Sequence, residues 1–322
     1  MGKRVCVTGA GGFIGHHLVT FLKERGYWVR GVDLKYPEYT DVDADEFELL
    51  DLRRWDAALQ ATRGVEQVYA LAADMGGMGY ISTHHAEILH SNSLINLHTI
   101  DAARINGVQR YLYSSSACIY PEYRQTETDV VPLKESDAYP AQPQDAYGWE
   151  KLFSELLCSY YADEHPMETR IVRFHNIYGP YGTYDGGREK APAALCRKVA
   201  LAEDGGSIEV WGDGEQTRSF CYIDDCVEGI YRIMQSDFAE PLNLGTDEMV
   251  SITELAHLVA EVAGKRDIGL KYVAGPQGVR GRNSDNSLLR EVLGWEPTTW
   301  LHNGLRPTYQ WIEKRLTSGE RS

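Results

Sequence analysis

The chain has 322 residues, 43% of them hydrophobic and 25% charged, which is enough to bury a full core as one large or two smaller domains. A formal net charge of −15 argues against nucleic acid as a partner and leaves any anionic ligand dependent on local Arg and Lys clusters. No apolar stretch is long enough to span a bilayer and no signal-like segment precedes the first strand. Six cysteines without CxxC spacing fit reduced thiols, so the expectation is a cytoplasmic protein with no membrane contact and no metal site.

In chain order, short β-rich runs alternate with helical patterns. Strands are predicted at Arg4 to Thr8, Trp28 to Val32, Phe47 to Leu50, Gln67 to Leu71, Arg110 to Ser114 and Arg170 to Phe174. Helices are predicted from the first glycines through Leu22, over Ala86 to Asn106 and over Tyr147 to His165, with an irregular Pro-rich stretch from Pro121 to Pro143. This rhythm predicts an α/β fold, a Rossmann-like doubly wound parallel sheet over residues 1–175. Residues 176–322 predict a smaller mixed α/β lobe for substrate, with segments free to cross between lobes. It has loops at Tyr184 to Lys190, Gly212 to Thr217 and Gly275 to Asn286, helices near Ala191 to Ala202 and Ile252 to Ala263, and a frayed end after Leu316. Asp224-Asp225 suits a helix start.

Gly9, Gly12 and Gly15 follow the first strand and open a helix with Phe13 and Ile14, in the spacing GxxGxxG. A tight turn there brings backbone close to a pyrophosphate and aims a helix N-terminus at its charge. Asp33 ends the next strand, near the offset of about 20 residues expected of a ribose-binding carboxylate, and would repel a 2′-phosphate. The cofactor expected is therefore NAD. Asp51 and Leu52, and Leu71, Ala72 and Ala73, form further walls of its site.

Tyr147 and Lys151 stand one helical turn apart, a spacing that sets an ammonium beside a phenol and predicts a lowered phenol pKa suited to taking an alcohol proton. Tyr-x-x-x-Lys alone is common. Ser116, in the run Ser114 to Tyr120 at a strand end, makes it specific by adding a hydroxyl for the same substrate oxygen.

Together these motifs resemble the extended short-chain dehydrogenase/reductases, the group of nucleotide-sugar epimerases and dehydratases. A narrower resemblance is carried by Ala72-Ala73-Asp74-Met75-Gly76-Gly77-Met78-Gly79, Ser115-Ser116-Ala117-Cys118-Ile119-Tyr120-Pro121-Glu122, Arg173-Phe174-His175-Asn176-Ile177-Tyr178-Gly179-Pro180, Gly186-Gly187-Arg188-Glu189-Lys190-Ala191-Pro192-Ala193 and Gly278-Val279-Arg280-Gly281-Arg282-Asn283-Ser284-Asp285. These stretches look like the GDP-mannose 3,5-epimerases.

That resemblance implies a tightly held NAD recycled within each turnover, Tyr147 as base for C4 oxidation with Lys151 and Ser116 beside it, and Cys118 paired with Lys190 as acid and base at C3 and C5. It implies GDP-mannose as substrate, with GDP-L-galactose and the C5-only GDP-L-gulose as products, and a homodimer formed through the two long helices. Arg218 and Arg282 match diphosphate clamps of the wider family; Arg280, Lys198 and Asn176 are weaker candidates. Gly76, Ala117, Glu189 and Ala191 lie in the same stretches, Gln216 lies with Arg218 in the run Gln216-Thr217-Arg218-Ser219-Phe220, and all are expected at the sugar nucleotide. Another NAD-dependent nucleotide-sugar 4-epimerase or a 4,6-dehydratase would share Tyr147 but gives no reason for Cys118 with Lys190. A non-catalytic NAD sensor on this fold would typically lack the tyrosine or the lysine.

Overall fold

The structure, a computed structural model, describes residues 2–318. The first half runs β1 (Arg4–Thr8), α1 (Phe13–Glu24), β2 (Trp28–Asp33), β3 (Glu46–Leu49), α2 (Trp55–Ala61), β4 (Gln67–Ala70), α3 (Met78–Ile81), α4 (His85–Ile105), β5 (Arg110–Ser116), α5 (Ala146–Glu164) and β6 (Glu168–Phe174). The second half runs β7 (Ile177–Tyr178), α6 (Ala191–Leu201), β8 (Ser207–Trp211), β9 (Thr217–Ser219), β10 (Cys221–Tyr222), α7 (Ile223–Gln235), β11 (Leu242–Leu244), β12 (Met249–Ser251), α8 (Ile252–Val262), β13 (Gly269–Val273), β14 (Gly281–Arg282), α9 (Ser287–Leu293) and α10 (Leu301–Ser318).

Seven strands form one sheet in the order β3-β2-β1-β4-β5-β6-β11, with every neighbouring pair parallel. Successive side chains on a strand face opposite ways, and the core divides accordingly. Val5, Val7, Leu112 and Val172 pack with α1 and α7 on one face; Cys6, Val68, Tyr111, Tyr113 and Ile171 pack with α2, α4 and α5 on the other. The first of these cores continues without a break into the second half, through Leu255, Val259, Leu305 and Ile312 of α8 and α10. Strand order reverses between β1 and β4, so the crevice at their C-terminal ends is the place where a doubly wound sheet receives a ligand.

The rest of the second half is a helical group of α6, α8 and α10, with small sheets β8-β13, β7-β10 and β12-β9-β14 beside it. Three features differ from the sequence expectation. Strand β11 belongs to the large sheet although it lies in the second half, because three buried residues, Leu242, Asn243 and Leu244, find β6 as a ready parallel edge. The segment from Gly275 to Asn286 is not all loop, since Gly281 and Arg282 pair with Thr217 and Arg218. The C-terminal helix runs past Leu316 to Ser318, where the Thr317 hydroxyl donates to the carbonyl of Glu313; the rest of the segment expected to fray lies outside the described residues.

Candidate active site

One cavity of about 1020 Å³ opens along the C-terminal ends of the sheet strands and extends toward the helices of the second half. Its first end is made by backbone. Gly9 has φ +71° and Gly15 lies so near it that a Cβ there would strike the Gly9 carbonyl, so the turn into α1 tolerates no side chains at these points. Gly12 caps α1 in extended conformation, no acidic residue occupies the first turn, and the helix N-terminus faces the cavity with Phe13 and Ile14. Asp33 accepts from the amides of Gly11 (2.9 Å) and Leu34 (2.6 Å), and burial pushes its carboxyl above the ordinary range. Asp51 and Leu52 line the same end, with Asp51 held by Arg53 at 2.8 Å, as do Leu71, Ala72 and Ala73, where the Thr8 hydroxyl accepts from the amides of Leu71 and Ala72. A glycine cradle under a helix N-terminus with a carboxylate beyond it fits a dinucleotide.

At the middle of the cavity β5 ends in Ser116, whose Oγ accepts from the amide of Cys118 (3.2 Å) and so shapes the turn through Ala117. Helix α5 starts alongside, with Asp145 accepting from the Gly148 amide as its N-cap. Tyr147 and Lys151 of its first turns both reach the cavity. Lys151 donates to the carbonyl of Ser114 (2.8 Å) and its Nζ stands 5.6 Å from the Tyr147 ring centre. The expected depression of the phenol is absent: burial dominates, the Cys118 and Glu150 charges add to it, and Tyr147 lies well above its ordinary value, with the Ser116 hydroxyl pulling the other way. Burial likewise lowers Lys151. In the protein by itself the phenol is therefore the proton-bearing form.

Helix α5 is fastened to the sheet by an ion pair that sequence reading missed. Glu155 takes two hydrogen bonds from Arg173 of β6 (2.9 and 2.7 Å) and a third from Ser115, with both charged side chains about 95% buried. Nothing in the spacing of these residues separates them from solvated charges.

Lys190 caps α6 and lines the cavity with Cys118. Burial lowers the lysine, Cys118 and Cys226 act the other way, and its ammonium has no hydrogen-bond partner among the described residues. Cys118 is half-buried; the other five cysteines are free thiols in the core.

The description "NAD dependent epimerase/dehydratase family" matches residues 5–245. Over 315 residues, 97% of this chain and 82–83% of each relative, the sequence is 53% identical to GDP-mannose 3,5-epimerase 1 of Oryza sativa subsp. japonica and to GDP-mannose 3,5-epimerase of Arabidopsis thaliana. Identity to UDP-glucuronic acid decarboxylase 6 of Arabidopsis thaliana is 32%, over 94% of the chain and 86% of that relative. The chain belongs to the NAD dependent epimerase/dehydratase family. Among solved structures of similar fold are a UDP-glucose 4-epimerase from Thermotoga maritima with UDP-glucose and MoeE5 in complex with UDP-glucose and NAD. The TM-scores are 0.87 and 0.83 at 26% and 28% identity, over 98% of this chain and 100% of each.

The far end of the cavity is built from side chains of several loops. Gly76 packs against Tyr80 and Arg188, and the amide of Gly77 donates to the carbonyl of Arg188 (3.0 Å), which ties the segment around α3 to the loop carrying Glu189, Lys190 and Ala191. Arg188 also stands 3.3 Å from Asp74, a clasp absent from the sequence reading. Glu189 accepts from the Gly187 amide at 2.7 Å. Asn176, at φ +46°, donates to the carbonyl of Ser219 (2.9 Å). Lys198 donates to the carbonyl of Glu209 (2.7 Å), and Gln216 donates to that of Trp211 while its buried Oε1 has no partner.

Arg218 and Arg282 both line this end. Burial beside Arg282 brings Arg218 down to about 9, the mark of cations crowded where an anion would relieve them. Arg280 does not reach the cavity: it is turned outward onto Asp213 at 2.8 Å.

Proposed function

We propose that this chain interconverts GDP-mannose and GDP-L-galactose by inversion at C3 and C5, with NAD as recycled cofactor and the C5-only sugar GDP-L-gulose as a second product. The observation that carries the reading is 53% identity to GDP-mannose 3,5-epimerases across nearly the whole chain, together with a cavity where Tyr147, Cys118 and Lys190 share one wall system. Gly9, Gly12, Gly15 and the start of α1 would hold the pyrophosphate of NAD, Asp33 its ribose, and Lys151 its second ribose. When bound, NAD supplies the acceptor and later the donor of the C4 hydride.

Tyr147 takes the C4 hydroxyl proton, with Ser116 on the same oxygen. With C4 a ketone, the hydrogens at C3 and C5 become acidic, and their bonding electrons pass to an enolate oxygen held by Ser116 and Tyr147. Inversion needs a proton removed from one ring face and another returned to the opposite face, which one group cannot do. Cys118 and Lys190 supply the pair, and burial of Lys190 moves it toward the neutral form that a base requires. Arg218 and Arg282 face the diphosphate, with Gly76, Ala117, Asn176, Glu189, Ala191, Lys198 and Gln216 around the sugar nucleotide.

Two further readings accompany this one. Trp149, Phe153, Leu156 and Tyr160 recur along one exposed face of α5, and Leu89 and Leu97 along α4, which supports a homodimer through these helices. Six free thiols support a reducing, cytoplasmic setting, and no helix among the described residues is long and apolar enough to cross a membrane.

The test is incubation of the purified protein with GDP-mannose in deuterated water without added cofactor, followed by NMR. Deuterium at C3 and C5 with new L-sugar signals is the expected result. No exchange, even after NAD is added, would refute the substrate.

A further inference from the structure

A buried line of hydrogen bonds runs from the turn that carries Cys118 to strand β14, through a residue the reaction scheme above does not use. Gln125 is 1% exposed. Its Nε2 donates to the carbonyls of Tyr120 (3.0 Å) and Pro121 (3.1 Å), and its own carbonyl accepts from the amides of Arg280 (2.9 Å) and Gly281 (3.2 Å). Its Oε1 accepts from Nε of Arg282 at 2.6 Å. A side-chain amide nitrogen can only donate, so two carbonyls on one side hold the nitrogen there and turn the oxygen to the guanidinium. Arg282 in turn directs Nη1 onto Sγ of Cys118 at 3.3 Å.

We propose that Gln125 is a positioning residue for the epimerisation: it anchors the guanidinium of Arg282 against the sulfur of Cys118, so that the thiol used for proton transfer stands beside a fixed cationic donor. This rests on the acid/base reading of Cys118 given above. A guanidinium is always charged and its donors share one rigid plane, so gripping Nε decides where Nη1 points. A cationic donor at a sulfur favours negative charge there. The other groups whose charge acts on Cys118 are Lys190 at the start of α6, Arg218 of β9, and Tyr147 and Lys151 of α5. Among the described residues none of these four donates to the sulfur, whereas Arg282 does. The anchor gives Arg282 a duty at the reacting carbons as well as at the diphosphate end.

Alkylation of the full-length protein tests this, since the other five cysteines are buried. The ratio of rates with anionic iodoacetate and neutral iodoacetamide at Cys118, with the modified peptide identified by mass, reads the cation held at the sulfur. In Gln125→Met the ratio falls about tenfold, the lower end of what a hydrogen bond to a charged group contributes. The kcat for deuterium exchange into GDP-mannose falls with it, by more than any rise in KM that comes from Arg282 at the diphosphate. Arg282→Met is the second variant, because it removes the cationic donor from Sγ altogether, and its ratio falls even where Gln125→Met does not fold. An unchanged ratio in the folded variants, or a raised KM with kcat intact, overturns the proposal. Full exchange by Cys118→Ser instead overturns the acid/base reading on which it rests.

Discussion

At the cofactor end of the cavity the ligand-facing surface is largely main chain: a glycine turn, a helix N-terminus and the amides around Asp33. At the far end it is side chains, with Lys190 from a helix cap, Arg218 and Arg282 from two short strands that pair with each other, and Gln216 from the loop between β8 and β9. The difference sets how each end fails. A backbone cradle is ruined by added atoms and takes local folding with it; a side-chain cluster loses chemistry when a group is removed while the scaffold stands.

The largest effect expected is at the backbone end. Gly15→Val drives a side chain into the Gly9 carbonyl, and overpacking of that kind costs about 3 kcal/mol. Loss of NAD from the purified protein and a lowered Tm, read by cofactor release and calorimetry, should appear together. A variant that kept its NAD would break the comparison.

Lys190→Met sharpens the other side. C3 and C5 deuterium exchange should fall by about a thousandfold, within the range of general acid–base catalysis. Tm should hold or rise, because the lysine is lowered by burial and its charge is not a stabilising one. A Tm drop comparable to that of Gly15→Val would show that the side-chain end also carries the fold.

Between these effects in size is His175, which follows β6, is fully buried outside the cavity and packs between Asn243 (Nε2 to Oδ1 3.0 Å) and the flanking cations. Burial, with Arg282 and Arg173 adding to it, holds the ring down at about 3 against 6.5 in the unfolded chain. The folded-state value is depressed, so its contribution is complete above the unfolded value and is lost as pH falls toward the folded one. About 2 kcal/mol should go between pH 6.5 and pH 5. Denaturant unfolding across that window should show the slope, and His175→Gln should flatten it.

The smallest effect belongs to Arg280→Ala. With its guanidinium on Asp213 outside the cavity, kcat and KM should be those of the parent protein. A raised KM would return Arg280 to the diphosphate.

Much of this architecture is legible in the sequence because it rests on local rules. Strand β1 has the predicted bounds, since alternating Val5, Cys6 and Val7 must feed both faces of a covered sheet before a glycine turn. Helices α4, α5, α6 and α8 start and stop within a residue of expectation, because periodicity, and for α5 and α8 the caps Asp145 and Ser251, are local properties. The glycines, Asp33, Tyr147, Lys151, Ser116, Cys118 and Lys190 all line the one cavity for the same reason: each sits at the end of an element whose end the sequence announces.

Tertiary structure alone decided the rest. Three residues at Leu242 to Leu244 carry no signal stronger than many apolar triplets, and only the open edge of β6 makes them a sheet strand. Lys151 has the spacing to depress Tyr147, yet the depth at which α5 is buried reverses the outcome. Arg280 and Arg282 are two residues apart and chemically identical; the pairing of β14 with β9 turns one outward to Asp213 and the other inward to Gln125 and Cys118. Local sequence determines which backbone shapes and functional groups exist, because propensity and capping act within a few residues. Which charges are desolvated and which groups touch depends on contacts between residues distant in the chain, from Glu155 with Arg173 to Gln125 with Arg282, and only the packed chain supplies those.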